Sequence, residues 1–303
     1  MNGAMRDRTG GDGSDDGDGV KDRKGIRKGI RKGMENMDAN RSDGLRTGEK
    51  RTGEKKAGDR RGDDSRMDDK RDDRRDDADG RIELVVLDMA GTTVADRGLV
   101  EQAFAVAAER CGVIPGSDDH EAKLDYVRRT MGESKISVFR ELFGDEGLAQ
   151  RANREFENAY HDLIDAGGCA PLPGAVEAIE RLRAGGRKVV LTTGFSRATR
   201  DRVLDALDWH GLVDLTLCPA DAGRGRPYPD MVLHALLRTG GRDVRRIAVA
   251  GDTGYDMLTG RRAGASVVAG VLTGAHGKGR LAESGATHVL GSVAELPALL
   301  ESR

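Results

Sequence analysis

Residues 82–94 read Ile-Glu-Leu-Val-Val-Leu-Asp-Met-Ala-Gly-Thr-Thr-Val. The apolar run 84–87 is short and branched, which favours a strand buried on both faces of a parallel sheet. It ends at Asp88, and a glycine and two threonines follow. Open α/β sheets bind ligands at such strand ends, where backbone N–H groups can face an anion. Asp88 is therefore a candidate nucleophile, although an Asp before a glycine loop is also an ordinary turn or cap.

Residues 1–80 differ in composition from the rest of the 303-residue chain. About half of them are charged, none is aromatic, and aliphatic residues are isolated. Such a segment cannot bury enough apolar surface to offset the entropy of ordering, so we expect a disordered tail. Its acidic and basic residues nearly balance, which argues against nucleic acid as a partner.

The sequence also bears on the compartment of the protein. The N-terminus lacks the apolar core of a secretory signal, and no apolar run approaches the roughly 20 residues of a membrane span. We therefore expect a cytoplasmic protein without a membrane partner. Cys111, Cys169 and Cys218 are widely spaced and odd in number, which predicts packing thiols rather than disulfides.

From residue 81 onwards, strand and helix patterns alternate. Beyond the first strand, buried strands are predicted at 187–191, 214–218, 246–250, 265–271 and 287–290. Helices are predicted between them at 173–182, 196–208, 229–237 and up to 262. This alternation predicts an α/β fold with a doubly wound parallel sheet and helices on both faces.

An insertion between the first and second strands has helical patterns only. Its predicted helices are 100–108, 123–130, 135–142 and 148–164. We therefore divide the chain into a disordered charged tail (1–80), a core (81–97 and 170–303) and an inserted helical domain (98–169). An exposed apolar helix such as 100–108 would offer a surface for a homodimer.

Four polar sites fall at or just beyond predicted strand ends. They are Asp88, Thr192, the loop with Arg226, and Asp252 with Asp256. In a doubly wound sheet these ends converge on one crevice. A carboxylate nucleophile needs no base, but it needs cations to hold an anionic substrate, so this set suits Mg²⁺-assisted phosphoryl transfer to Asp88. Singly, each residue could be a cap, a surface ion pair or a first-turn acid.

In this order the sites resemble the motifs of the haloacid dehalogenase (HAD) superfamily: Asp88-Met-Ala-Gly-Thr92, Thr192, Arg226-Pro227 and Gly251-Asp252-Thr253-Gly254-Tyr255-Asp256. The resemblance implies a Rossmann-like core with a mobile helical cap, Asp88 as nucleophile and Mg²⁺ as cofactor. The residues it implies are, for catalysis, Asp88, Lys135, Thr192 and Arg226; for substrate binding, Ala90, Gly91, Thr92, Met131, Gly132, Thr193 and Gly194; and for the metal, Asp88, Ala90, Asp252 and Asp256.

The phosphonoacetaldehyde hydrolase branch of the superfamily is similar in finer detail. Most phosphatases of the superfamily carry an acid two residues after the nucleophile, whereas this chain has Ala90, as that branch does. Met131-Gly-Glu-Ser-Lys135 resembles the cap segment whose lysine forms a Schiff base with the substrate aldehyde. The resemblance implies cleavage of a C–P bond in a small phosphonate, with Lys135 forming the imine; a solvated helix lysine is the alternative.

Two positions depart from that branch, which has a His three residues after the lysine and a Tyr in the second motif. This chain has Val138 and Phe195 there, and both changes remove polar groups near the imine. A phosphomonoesterase of the phosphoglycolate phosphatase type therefore stays open, as does a non-catalytic protein that binds a phosphorylated metabolite. A metal-independent dehalogenase is disfavoured because Asp252 and Asp256 have a purpose only with a metal.

Overall fold

The structure, a computed structural model, describes residues 80–302, and the predicted tail lies outside them except for Gly80. The described chain contains a parallel sheet. Its strands are β1 (Leu84–Asp88), β2 (Lys188–Thr192), β3 (Leu215–Leu217), β4 (Ile247–Gly251), β5 (Val267–Val271) and β6 (His288–Leu290). Their order is β3-β2-β1-β4-β5-β6. The predicted doubly wound parallel sheet is confirmed, and β1 lies where the strand order reverses.

The central strand is buried on both faces, as its apolar run predicts. Leu84 and Val86 pack into one apolar cluster, whereas Val85 and Leu87 pack into another. This division follows from the alternation of side chains along a strand. It leaves Asp88 at the carboxyl end, where the polar loops of neighbouring strands meet.

Helices pack on both faces of the sheet. The helices between β1 and β2 are α1 (Leu99–Arg110), α2 (Asp118–Arg129), α3 (Lys135–Phe143), α4 (Glu146–Leu163) and α5 (Ala175–Ala184). Those after β2 are α6 (Arg197–Leu207), α7 (Pro219–Ala222), α8 (Asp230–Arg238), α9 (Gly254–Ala263), α10 (Lys278–Glu283) and α11 (Leu296–Glu301). The short helices α7, α10 and α11 were not predicted, because four to six residues show too little periodicity.

The helices α1 to α4, called the helical segment below, pack on one another. Phe139 stacks on Phe104 with ring centroids 4.7 Å apart and meets Phe156 at 5.9 Å. On α1, the residues at most 2% exposed are Val100, Ala103, Phe104, Ala107 and Ala108. The expectation that this apolar face is exposed and available to a homodimer is wrong, because the other helices of the segment cover it.

Two helix starts were predicted too late. α2 begins at Asp118 rather than 123, because Ser117 caps it by accepting a hydrogen bond from His120 N at 3.2 Å. α4 begins at Glu146 rather than 148, because Asp145 accepts from Leu148 N at 2.7 Å. Among the described helices, none has the length and apolar character needed to cross a membrane.

Candidate active site

The nucleophile candidate ends β1 and lines a cavity of about 450 Å³. Arg226, in the loop before α8, places Nη2 2.6 Å from Asp88 Oδ1 and Nη1 2.6 Å from Asp256 Oδ1. The buried Nε atom of Arg226 has no hydrogen-bond partner among the described residues. A buried N–H without a partner, beside a carboxylate, is available to an anion.

The fourth motif places two carboxylates beside the first. Asp256, in the first turn of α9, accepts a hydrogen bond of 2.6 Å from the Thr253 hydroxyl, which fixes its rotamer. Oxygen atoms of Asp88, Asp252 and Asp256 all lie within 4.8 Å of one another. Three converging carboxylates form a set of hard oxygen ligands of the kind that Mg²⁺ prefers.

Asp252 is held from several sides. It accepts from Thr92 Oγ1 at 3.1 Å and from Ala275 N at 2.8 Å. A Cβ atom on Gly91 would lie 2.5 Å from Asp252 Oδ2, and one on Gly274 would lie 2.0 Å away. Both positions therefore require glycine, which explains the glycine in the first motif as a close approach of backbone to a ligand carboxylate.

The electrostatics of this cluster favour a bound cation. Burial raises the pKa of Asp88 well above its usual value; Arg226 opposes this, and the nearby carboxylates add to it. Burial and Asp256 raise the pKa of Asp252 to about 6. The pKa of Arg226 rises although burial alone would lower it, because Asp256 and Asp88 outweigh the burial. One guanidinium among three buried carboxylates leaves negative charge that a divalent cation would neutralise.

The second motif contributes less side-chain chemistry than expected. Thr192 pairs with Asp88 across the sheet, but its hydroxyl points to Leu87 O at 3.4 Å and the residue does not line the cavity. Thr193 and Gly194 do line it. Two further predicted residues lie behind the lining, Thr92 and Asp256.

The loop between α2 and α3 lies directly on these motifs. Met131 and Gly132 line the cavity, and a Cβ atom on Gly132 would lie 2.4 Å from Thr253 Oγ1. Burial and the Glu133 carboxylate raise the pKa of Tyr255 to about 12, which places that carboxylate beside the fourth motif. The helical segment is therefore closed over the carboxylate cluster.

Lys135 is the first residue of α3 and lines the same cavity as Asp88. Its Nζ atom lies 5.6 Å from the centroid of the Phe195 ring. Burial lowers the pKa of Lys135 to about 8, although Asp96 opposes the shift. The positive end of the helix dipole also disfavours the ammonium form. A fraction of the side chain is therefore a neutral amine near neutral pH.

The departures from the related branch are both apolar and buried. Val138 is 3% exposed and Phe195 is 4% exposed. The Phe195 ring lies 4.7 Å from the ring of Tyr160, so it joins the helical segment to the loop after β2. Ala90 lines the cavity near Asp88. The surroundings of Lys135 thus contain apolar surface where the branch has His and Tyr.

The cavity has lining residues that sequence reasoning missed, among them Asp96 and Glu133. Asp96 accepts a hydrogen bond of 3.1 Å from Val100 N. An Asp shortly before a predicted helix is a cap signal that could have located it. Glu133 lies two residues before Lys135 in the motif 131–135, which could have located it. No sequence signal placed Asp96 near Lys135, because that proximity depends on how the helical segment packs.

Comparisons with known proteins agree with these motifs. The family model of haloacid dehalogenase-like hydrolases matches residues 82–264. The chain is 28% identical to phosphonoacetaldehyde hydrolase of Bacillus cytotoxicus, over 73% of this chain and 96% of that protein. It is 32% identical to phosphonoacetaldehyde hydrolase of Bacillus cereus, over 64% of this chain and 77% of that protein. Among solved structures, a hydrolase from Pseudomonas syringae is 25% identical with a TM-score of 0.64, over 73% of this chain and 98% of that chain.

Proposed function

The chain belongs to the haloacid dehalogenase-like hydrolases, and from this premise we propose that it cleaves the C–P bond of a small phosphonate aldehyde. In this proposal Asp88 accepts the phosphoryl group and water then releases it. The observation that carries the proposal is that one cavity contains both Asp88 and a desolvated Lys135. The names of the two Bacillus relatives support phosphonoacetaldehyde as the substrate to test first.

The carboxylate cluster fits a Mg²⁺ ion. Asp88, Asp252 and Asp256 would hold it, because oxygen atoms of these three carboxylates converge within 4.8 Å. Ala90 is the fourth position that the resemblance implies for the metal. A bound Mg²⁺ would neutralise the carboxylates and polarise a phosphoryl oxygen. The free Nε–H of Arg226 is available to a second phosphoryl oxygen.

Lys135 would supply the electron sink that C–P cleavage requires. Its neutral amine adds to the aldehyde carbon, and loss of water leaves a protonated imine. Asp88 then attacks phosphorus, so that a P–O bond forms as the C–P bond breaks. The electron pair of the C–P bond passes into the imine and gives an enamine. Protonation of the enamine carbon and hydrolysis of the resulting imine release the aldehyde and restore the amine, while water hydrolyses the aspartyl phosphate.

The experiment combines trapping with product release. The protein is incubated with Mg²⁺ and phosphonoacetaldehyde, borohydride is added, and intact-protein mass and phosphate are measured. We expect a reduced adduct on Lys135 and release of phosphate, and neither with Lys135→Ala. Lys278→Ala is the matched control, because Lys278 also begins a helix but is exposed and outside the cavity.

A phosphomonoesterase is the second candidate. It is favoured by the buried Val138 and Phe195, which stand where the phosphonoacetaldehyde hydrolase branch has the polar residues His and Tyr. It predicts phosphate release from small phosphate esters, no borohydride adduct, and an active Lys135→Ala variant. Turnover of neither substrate class, with retained binding, would favour a non-catalytic protein that binds a phosphorylated metabolite.

A further inference from the structure

Imine formation requires proton transfer at the Lys135 nitrogen, and few groups near it can provide this. Val138 and Phe195 are apolar and buried. Four charged groups act on Lys135, namely Asp96, Arg226, Asp88 and Glu133. Two of them are committed elsewhere: Arg226 pairs with Asp88, and Asp88 belongs to the metal cluster.

The remaining carboxylates are Asp96 and Glu133, and both line the cavity. Glu133 faces Tyr255, whose pKa its charge raises, in the contact that closes the segment. The charge of Asp96 acts on Lys135 more strongly than that of Glu133. Asp96 forms no ion pair within 4.0 Å in the described chain, Lys135 included, so a proton would pass between these two side chains through a water molecule or the substrate in the cavity that both line.

Asp96 is also well fixed. Its carboxylate accepts from Val100 N at 3.1 Å, at the junction between the sheet and α1. This bond uses a backbone donor and leaves further lone pairs on the carboxylate. A carboxylate with one oxygen fixed by a backbone N–H can still exchange a proton with a group in the cavity.

We propose that Asp96 is the proton-transfer residue for imine formation at Lys135, a role that rests on the proposed function. The ammonium and the aldehyde give a protonated imine and water, so two protons move from nitrogen to oxygen. Asp96 takes the first proton from the ammonium, and the free amine forms the C–N bond. Asp96 gives that proton to the carbonyl oxygen. It then carries a second proton from the nitrogen to the same oxygen, and the C–O bond breaks as water leaves. It starts and ends as a carboxylate.

The simpler interpretation is that Asp96 only caps α1, and Asp96→Asn separates the two. Asparagine caps a helix about as well as aspartate, because its side-chain oxygen still accepts from Val100 N, but it cannot carry a proton. Asp145→Asn is the matched control, since Asp145 caps α4 and lies outside the cavity. Melting temperatures of both variants should stay within a few degrees of the parent chain.

The rate of the borohydride-trapped adduct is measured from pH 6 to pH 10, together with the pKa of Lys135 from pH-dependent acetylation without substrate. We expect Asp96→Asn to lower the maximal trapping rate about 100-fold, in the range of general acid–base catalysis, and to lower the pKa of Lys135. Asp145→Asn should change neither.

An unchanged maximal trapping rate with Asp96→Asn overturns the proposal. This holds even if the pH profile of trapping shifts, because a shift alone means that Asp96 acts only through its charge. An equal loss with Asp145→Asn also overturns it, since capping then explains the effect. If the parent chain forms no adduct, the proposed function fails and this role fails with it, whereas a normal parent adduct isolates the result to Asp96.

Discussion

The cavity has two walls that are built differently. The wall on the sheet presents the buried charged residues Asp88, Arg226 and Asp252, with Asp256 behind them, and each is at most 5% exposed. Two ion pairs of 2.6 Å join Arg226 to carboxylates of the first and fourth motifs. Glycines that approach within van der Waals distance hold Asp252 on its other sides. Contacts with neighbouring groups therefore fix Arg226, Asp252 and Asp256, while the Asp88 carboxylate is held through its ion pair with Arg226.

The wall on the helical segment has fewer fixed contacts. Lys135, Glu133 and Asp96 are only partly buried, and Lys135 has no ion-pair partner within 4.0 Å among the described residues. The segment contacts the sheet side through Gly132 against Thr253, and the Glu133 carboxylate faces Tyr255. On the proposed function, the sheet wall binds the phosphoryl group and the segment wall acts on the part of the substrate that leaves.

The largest expected effect tests the sheet wall. Asp88→Asn keeps the shape of the side chain but removes the nucleophile, so we expect phosphate release to fall at least about 10⁴-fold on any substrate. The assay is steady-state phosphate release with Mg²⁺. Asp118→Asn, an exposed first-turn acid of α2, should retain full activity. Residual activity above about 1% in Asp88→Asn would assign the nucleophile to another residue.

The two walls also differ in how far the sequence predicted them. Asp88, Asp252 and Asp256 were predicted to converge because parallel strands bring their carboxyl ends to one edge, and the register of β1 with its neighbours achieves this. Asp96 was not predicted as a cavity residue, because its place in the cavity with Lys135 depends on packing of the helical segment. Glu133 was not selected either, although it lies in the motif 131–135 between predicted site residues. The prediction that the apolar face of α1 is exposed was wrong for a similar reason, since the helix that covers it is distant in sequence.

The next effect tests the segment wall through pH. The amine of Lys135 reacts only when neutral, and its pKa is about 8, so the neutral fraction falls with falling pH. We expect trapping to be about 100-fold slower at pH 6 than at its plateau, and the plateau to begin just above pH 8. Borohydride trapping at fixed aldehyde concentration measures this. A rate that keeps rising to pH 10 would mean that the amine is solvated when it reacts and that the closed wall is not the reactive state.

A smaller effect tests how the two walls meet. Gly132 has a φ of +93° and no room for a Cβ atom beside Thr253 Oγ1. Gly112 has a φ of +91° and no atom within 4 Å of such a Cβ. Alanine at either position should cost about 1 kcal/mol in the free energy of unfolding, because the backbone strain is similar.

Only Gly132→Ala should also lower kcat/KM, by about tenfold, because the clash with Thr253 prevents closure of the segment. Denaturant unfolding and steady-state kinetics of both variants measure the two quantities. Equal loss of activity in Gly112→Ala would show that strain in the helical segment, rather than contact with the sheet wall, limits turnover.

The smallest effect concerns the contact between Glu133 and Tyr255 of the fourth motif. Tyr255→Phe removes only the hydroxyl on which the Glu133 carboxylate acts. A polar contact of this kind contributes about 1 kcal/mol net, so kcat/KM should fall about three- to fivefold if closure depends on it. Tyr228→Phe is the control, because the Tyr228 ring stacks 4.2 Å from the Arg224 guanidinium and does not line the cavity. An unchanged Tyr255→Phe combined with an impaired Gly132→Ala would mean that close backbone packing, and not this polar contact, joins the segment wall to the sheet wall.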